Sequence, residues 1–129
     1  MPINSRNKGA SFERKIASEF NGWLGTNCRR RISQYQSGGS DLEFIGDGKA
    51  DEFMRQFSIE CKNYQRITDA TRNEHWKQAV RQALEEGKQP LLIFKESRQG
   101  VQVQKLDEVY GCAVRMGFED FMGWVREQL

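Results

Sequence analysis

Apolar residues in "ASFERKIASEFNGWL" fall at Phe12, Ile16, Phe20, Trp23 and Leu24, a spacing that lays one stripe along a helix. Glu13 stands one position off that stripe, at the edge where a side chain can leave the core for a cleft. The next stretch, "TNCRRRISQYQ", reads as a strand with Arg29 and Arg31 on one face and Cys28, Arg30 and Ile32 on the other. "SGGSDLEFIGDG" then gives a glycine-rich approach, a short strand holding Leu42 and Phe44, and a turn around Asp47 and Gly48. Residues 49–53 read as a polar loop, and a third strand is predicted from about Met54 to Lys62. In it Phe57, Ile59 and Cys61 share one face, leaving Ser58, Glu60 and Lys62 on the other.

Helical periodicity returns in "ITDATRNEHWKQAVRQALEEGKQP", where Thr71 and Glu74 have capping-box spacing and Gly87 is a natural stop. Trp76, Val80, Ala83 and Leu84 are its expected buried side. "PLLIFKE" is apolar throughout, as expected of a central strand covered on both faces. "GVQVQKL" alternates and is expected at the half-exposed outside of the sheet. "FEDFMGWVREQL" puts Phe118, Phe121, Met122, Val125 and Leu129 on one helical face. The predicted order is α-β-β-β-α-β-β-α, an α/β fold with a mixed sheet flanked by helices, and residues 1–129 are expected to form a single domain.

Composition narrows the function classes. A hydrophobic share of 37%, a charged share of 29% and a mean hydropathy of −0.78 suit a soluble protein, with no run approaching the roughly 20 apolar residues of a membrane span. "MPINSRNKGA" lacks the apolar core of a signal peptide, so an intracellular, cytoplasmic location is expected. The three cysteines, Cys28, Cys61 and Cys112, have no CxxC spacing and suggest neither a disulfide framework nor a zinc knuckle. Net charge is only +2, but residues 1–40 carry seven cations against two acids, so the basic charge is gathered at one end. Such asymmetry suits either a polyanion, nucleic acid foremost, or a solvated basic surface.

Opposite charges on an otherwise apolar strand cost desolvation energy and persist when paired, metal-bound or functional. If the second and third strands pair, Asp41 comes within one strand spacing, roughly 5 Å, of Glu60. Carboxylates crowded together raise one another's pKa unless a cation lies between them, and hard oxygen ligands suit Mg²⁺. A lysine beside them can orient a water and offset charge on a phosphorane-like transition state. Phosphodiester hydrolysis fits this chemistry best.

"KGASFERK", "SGGSDLEF" and "FSIECKNYQ" together resemble the PD-(D/E)XK nuclease superfamily, and over roughly residues 8–105 the layout is similar to the archaeal-type Holliday junction resolvases, including phage-borne versions. Ser40 stands where the eponymous proline would be. The resemblance implies a restriction-endonuclease-like fold and a structure-selective DNA endonuclease of recombination and repair, with Mg²⁺ as cofactor and Mn²⁺ as a substitute. By position it implies that Glu13, Asp41, Glu60 and the Cys61 main-chain carbonyl bind the metal, with Lys62 as the catalytic lysine. Ser37 or Ser40 would belong to a loop approaching the cut strand, and Lys8, Arg29, Arg30 and Arg31 would hold the DNA backbone. It also implies a homodimer on branched DNA, with "PLLIFKE" or the C-terminal helix as the interface.

Each position also has a plainer reading. An acid-x-Lys pair is ordinary on an exposed strand; the joint occurrence with Glu13 and a glycine-flanked Asp41 is not. Glu43 and Asp47 rival Asp41, which the neighbouring glycines favour. His75, the sole histidine, excludes chemistry needing two and is expected on a partly exposed helix surface. Gln78 is either a helper polar group for the site or a solvated helix position, and Tyr64 and Gln65 either touch DNA or form a plain loop. Trp23, Trp76 and Trp124 are expected in the core. Alternatives to junction resolution are cleavage of flaps, nicks or ends, or a DNA-binding module without catalysis.

Overall fold

The computed structural model describes residues 5–32 and 39–129. A first helix, α1 (Ser5–Leu24), leads into a two-stranded antiparallel ribbon of β1 (Cys28–Arg30) and β2 (Leu42–Phe44), in which Arg29 faces Glu43 and Arg30 faces Leu42. Next come a short helix, α2 (Lys49–Met54), the strand β3 (Phe57–Tyr64) and the long helix α3 (Asp69–Glu86). Three strands follow, β4 (Gln89–Glu96), β5 (Gln102–Leu106) and β6 (Ala113–Gly117), before the last helix, α4 (Phe118–Gln128). The main sheet has the order β3-β4-β5-β6, with β3 and β4 parallel and the other pairs antiparallel. The α3 crossover is what a parallel β3–β4 pair requires. The result is the mixed, helix-flanked sheet expected from the sequence.

The α1 stripe buries Phe12, Ile16 and Phe20 against Phe57, Ile59, Leu91, Ile93 and Val103 of the sheet, with Phe121, Met122 and Val125 of α4 completing the core. Phe20 meets Phe44 and Phe118 edge-to-face at 5.2 and 5.6 Å. Each fully buried aromatic or aliphatic side chain here contributes about 1.5–3 kcal/mol relative to exposure. Asn21 fastens the end of α1 to β1, accepting from the Cys28 N–H at 2.7 Å and donating to its carbonyl at 3.0 Å.

Several expectations are corrected. Residues 49–53 lie in α2, because Asp51 turns inward and accepts the N–H groups of Asn27 and Gly46 at 2.8 and 3.1 Å. The third strand therefore begins at Phe57. β5 is an inner strand because β6, not foreseen, pairs along its far side. The cap of α3 is Thr68, whose hydroxyl accepts from the Thr71 N–H; Gly87 ends the helix in the left-handed region as expected. Ala79 and Ala83 are the buried residues of α3, whereas Leu84 is 75% exposed. Leu91 to Phe94 and the apolar face of α4 are buried within the chain. Cys28 and Cys61 are buried free thiols and Cys112 is exposed. Among the described residues no helix is long and apolar enough to cross a membrane.

Candidate active site

β3 is an edge strand of the main sheet, and the chain just before β2 is latched onto its open edge. The Ser40 hydroxyl donates to the Leu42 carbonyl at 2.7 Å and accepts the Ile59 N–H at 2.9 Å. One residue on, the Asp41 N–H donates to the Ile59 carbonyl at 2.7 Å, and Asp41 Oδ2 accepts the Cys61 N–H at 2.8 Å. A strand residue turns its N–H and C=O toward the same side, so the Cys61 carbonyl lies on the edge occupied by Asp41. Glu60 and Lys62 leave the opposite face from the buried Ile59 and Cys61, beneath α3. Gln82 on α3 donates to the Ser58 hydroxyl at 3.3 Å and hydrogen-bonds the Glu60 carboxyl. From α1, Glu13 reaches the same place and holds Arg30 of β1, Nε to Oε2 at 2.5 Å.

The electrostatics follow from that crowding. Burial, then the charge of Glu60, pushes the Asp41 carboxyl up to about 7; Glu13 adds to the rise, while the Cys61 N–H and Lys62 oppose it. Burial also raises Glu60, against the pull of Lys62, Gln82 and Asp41, with Glu13 again raising it. Glu13, Asp41, Glu60 and Lys62 therefore lie in one another's fields, brought together from α1, the β2 approach and β3. Burial drives the Cys61 thiol well above its usual range, which leaves its sulfur inert. Among the described residues no three acid, thiol or imidazole groups close into a finished cation cage. The donor types nonetheless suit a hard divalent ion: Asp41 and Glu60, whose charged forms are disfavoured together, with Glu13 close by and a main-chain carbonyl beside them.

The surrounding residues divide. Lys8 lies half-buried on α1, five residues before Glu13, about 7.5 Å along the axis. Arg29 is exposed and paired with Glu43 at 2.6 Å, which removes Glu43 as a rival to Asp41; Asp47 is exposed on the turn. Arg31 donates its N–H to the Asp41 carbonyl at 2.8 Å, extending the ribbon by one residue. Ser37 lies outside the described residues. Ser40 corrects the expectation of a DNA-facing hydroxyl: it is 6% exposed and engaged in the latch. The Tyr64 ring is stacked on His75, centroids 5.4 Å apart, with its hydroxyl bonded to His75 Nδ1, so it too faces protein. Burial raises the Tyr64 hydroxyl to about 12 and lowers His75. Gln78 is exposed; Gln82, one turn on, is the helper amide. Its signal was available, since Gln82 adjoins Ala83 on the small-residue face that lets α3 approach β3.

With this geometry in place, comparisons with known proteins agree on the architecture. A family model described as "Phage putative PDDEXK endonuclease" matches residues 4–113. The solved structure of a Holliday junction resolvase from the archaeal hyperthermophile Archaeoglobus fulgidus is similar, with a TM-score of 0.51 over 86% of this chain and 89% of that one. Identity with it is 18%, so the likeness is one of fold. Among curated proteins none matches.

Proposed function

We propose that this chain, which belongs to the phage PDDEXK endonuclease family, is a Mg²⁺-dependent, structure-selective DNA endonuclease that resolves four-way junctions by phosphodiester hydrolysis. The observation that carries the reading is the convergence of Glu13, Asp41, Glu60 and Lys62 at the latched edge of β3. Glu13, Asp41, Glu60 and the Cys61 carbonyl would hold the ion, which when bound supplies Lewis-acid polarisation of the phosphate and of a water. Mn²⁺, also a hard ion, is expected to substitute. Lys62 orients the attacking water and offsets charge on the phosphorane-like transition state. Water oxygen bonds to phosphorus as the bond to the 3′ oxygen breaks, leaving a 3′ hydroxyl and a 5′ phosphate. Arg30 fixes Glu13, while Lys8 and Arg29 offer backbone phosphate contacts. The residues act as a single nuclease domain, and a C2 dimer places two such sites on the two symmetric cut points of a junction.

The test is cleavage of a synthetic four-way junction beside matched duplex and flap substrates, with Mg²⁺ and with chelator. The wild type should cut the junction only with the metal, and Asp41→Asn should bind it without cutting. Normal cutting by Asp41→Asn would remove Asp41 from the site; preference for flaps or ends would replace the substrate assignment.

A further inference from the structure

Beside the Ser40–Asp41 latch lies an open cavity of about 350 Å³, on the side of the β1–β2 ribbon that runs toward the start of β3. Its floor is the buried edge of Leu42, Phe44, Met54 and Phe57, and its rim carries three cations from three elements: Arg31 after β1, Arg55 at the end of α2 and Lys88 just past α3. The carboxylate among its lining residues, Glu43, is held by Arg29. The Arg31 guanidinium and the Glu86 carboxylate both lie beside Gly39.

Two of these cations are mounted on fixed backbone. Arg55 Nη1 donates to the carbonyls of Phe44 and Gly46 at 3.0 and 2.9 Å, which fixes the guanidinium plane while Nε and Nη2 make no hydrogen bond among the described residues. Lys88 follows the left-handed Gly87, its N–H donating to the Ala83 carbonyl at 2.8 Å, and the Gln89 N–H donates to the Gln56 carbonyl at 2.9 Å. Its ammonium has no partner among the described residues and stands in solvent. The Arg55 guanidinium is thus already ordered and keeps donors that a phosphate oxygen can use, while Lys88 adds an unengaged cation on a fixed piece of backbone.

We infer that this cavity is a second phosphate-binding site, one that receives a backbone phosphate near the scissile one on the strand being cut. The inference rests on the proposed nuclease reading. Ser40 lines the cavity and Asp41 follows it directly, so the cavity and the acidic cluster are neighbours along one short stretch of chain. A strand crossing the latch would meet both. Contacts of this kind set the position of the strand and carry no base identity. The site thus adds affinity and register without sequence preference, as junction cutting by shape requires.

The experiment measures binding of a labelled synthetic junction in chelator, across a salt series, for wild type, Lys88→Glu, Lys88→Ala and Arg115→Glu. Arg115 is an exposed cation on β6, three strands from β3, so its reversal changes net charge equally without touching the cavity. Lys88→Glu should weaken binding about tenfold, and Lys88→Ala should make the slope of log K against log salt shallower by about 0.9, the value of one phosphate contact. Arg115→Glu should stay within about twofold of wild type. Equal losses for Lys88→Glu and Arg115→Glu would overturn the cavity assignment and leave the nuclease reading standing. A wild type with no affinity for branched or duplex DNA would overturn both.

Discussion

Replacing Asp41 by asparagine should stabilise the metal-free protein at alkaline pH while abolishing its cleavage. Asp41 titrates at about 7 in the folded chain against 3.8 in the open chain, chiefly because burial and Glu60 disfavour its charge. A raised carboxyl pKa means that folding favours the protonated form. Its contribution is fully present below about pH 4 and is lost as pH rises through 7. About three pKa units correspond to roughly 4 kcal/mol, and solvent at the open side of the cluster reduces the usable part to about 2–3 kcal/mol. Asparagine keeps an oxygen for the Cys61 N–H and brings an amide that can donate to Glu60, so the latch survives without the charge. For a chain of this size the gain amounts to about 6–10 °C in Tm. Melting both proteins in chelator from pH 4 to 9 should give curves that coincide near pH 4 and separate progressively up to pH 8. Parallel curves at all pH values would refute the claim that Asp41 is a buried, repelled carboxylate. Adding Mg²⁺ at pH 8 should raise the wild-type Tm and leave Asp41→Asn nearly unmoved.

Two further substitutions separate structure from chemistry. Ser40→Ala should cost about 1–3 kcal/mol in chemical denaturation, because the Ile59 N–H and the Leu42 carbonyl lose a buried partner, while junction affinity of the folded protein stays within about twofold. Affinity lost at unchanged stability would place that hydroxyl against DNA instead. Gln82→Leu removes the amide that supports ionised Glu60 and should slow single-turnover cleavage by about tenfold or more at unchanged junction affinity. Because Gln82 lowers the Glu60 pKa, its loss should also move the acidic limb of the pH–rate profile to higher pH; an unmoved profile would make Gln82 merely structural.

The sequence predicted elements well where burial was one-sided and long. The α1 stripe, the apolar β4 and the face of α4 each repeat their period over enough residues to outweigh local exceptions. It failed where short segments take their structure from partners distant in the chain. α2 spans only six residues, and its inward Asp51 reads as a loop acid until Asn27 and Gly46 supply their N–H groups. β6 has no fully buried side chain, so its alternation is faint, and missing it displaced β5 to the rim. Lys105 of β5 compounds that error: a lysine suggests solvent, yet its stem is buried and its ammonium sits 4.3 Å from the Trp124 ring centre while donating to the Leu106 carbonyl.

The candidate site was legible for the opposite reason, namely that it breaks the patterns around it. Glu60 and Lys62 interrupt a strand otherwise fit for burial, and Asp41 follows glycines that no regular strand would choose. Residues that support the cluster break nothing, and so they were missed or misassigned: Gln82 was not singled out, and Ser40 was given to DNA. The sense of that division is energetic. A glutamine on a helix or a serine before a strand carries no visible cost in the sequence, whereas the buried Asp41 and Glu60 pressed together lower stability by an amount that a neutral substitution should recover. A group retained against its own folding preference marks a place where a ligand can restore the balance, and the hardness of these oxygen donors is the ground for the proposed divalent cation.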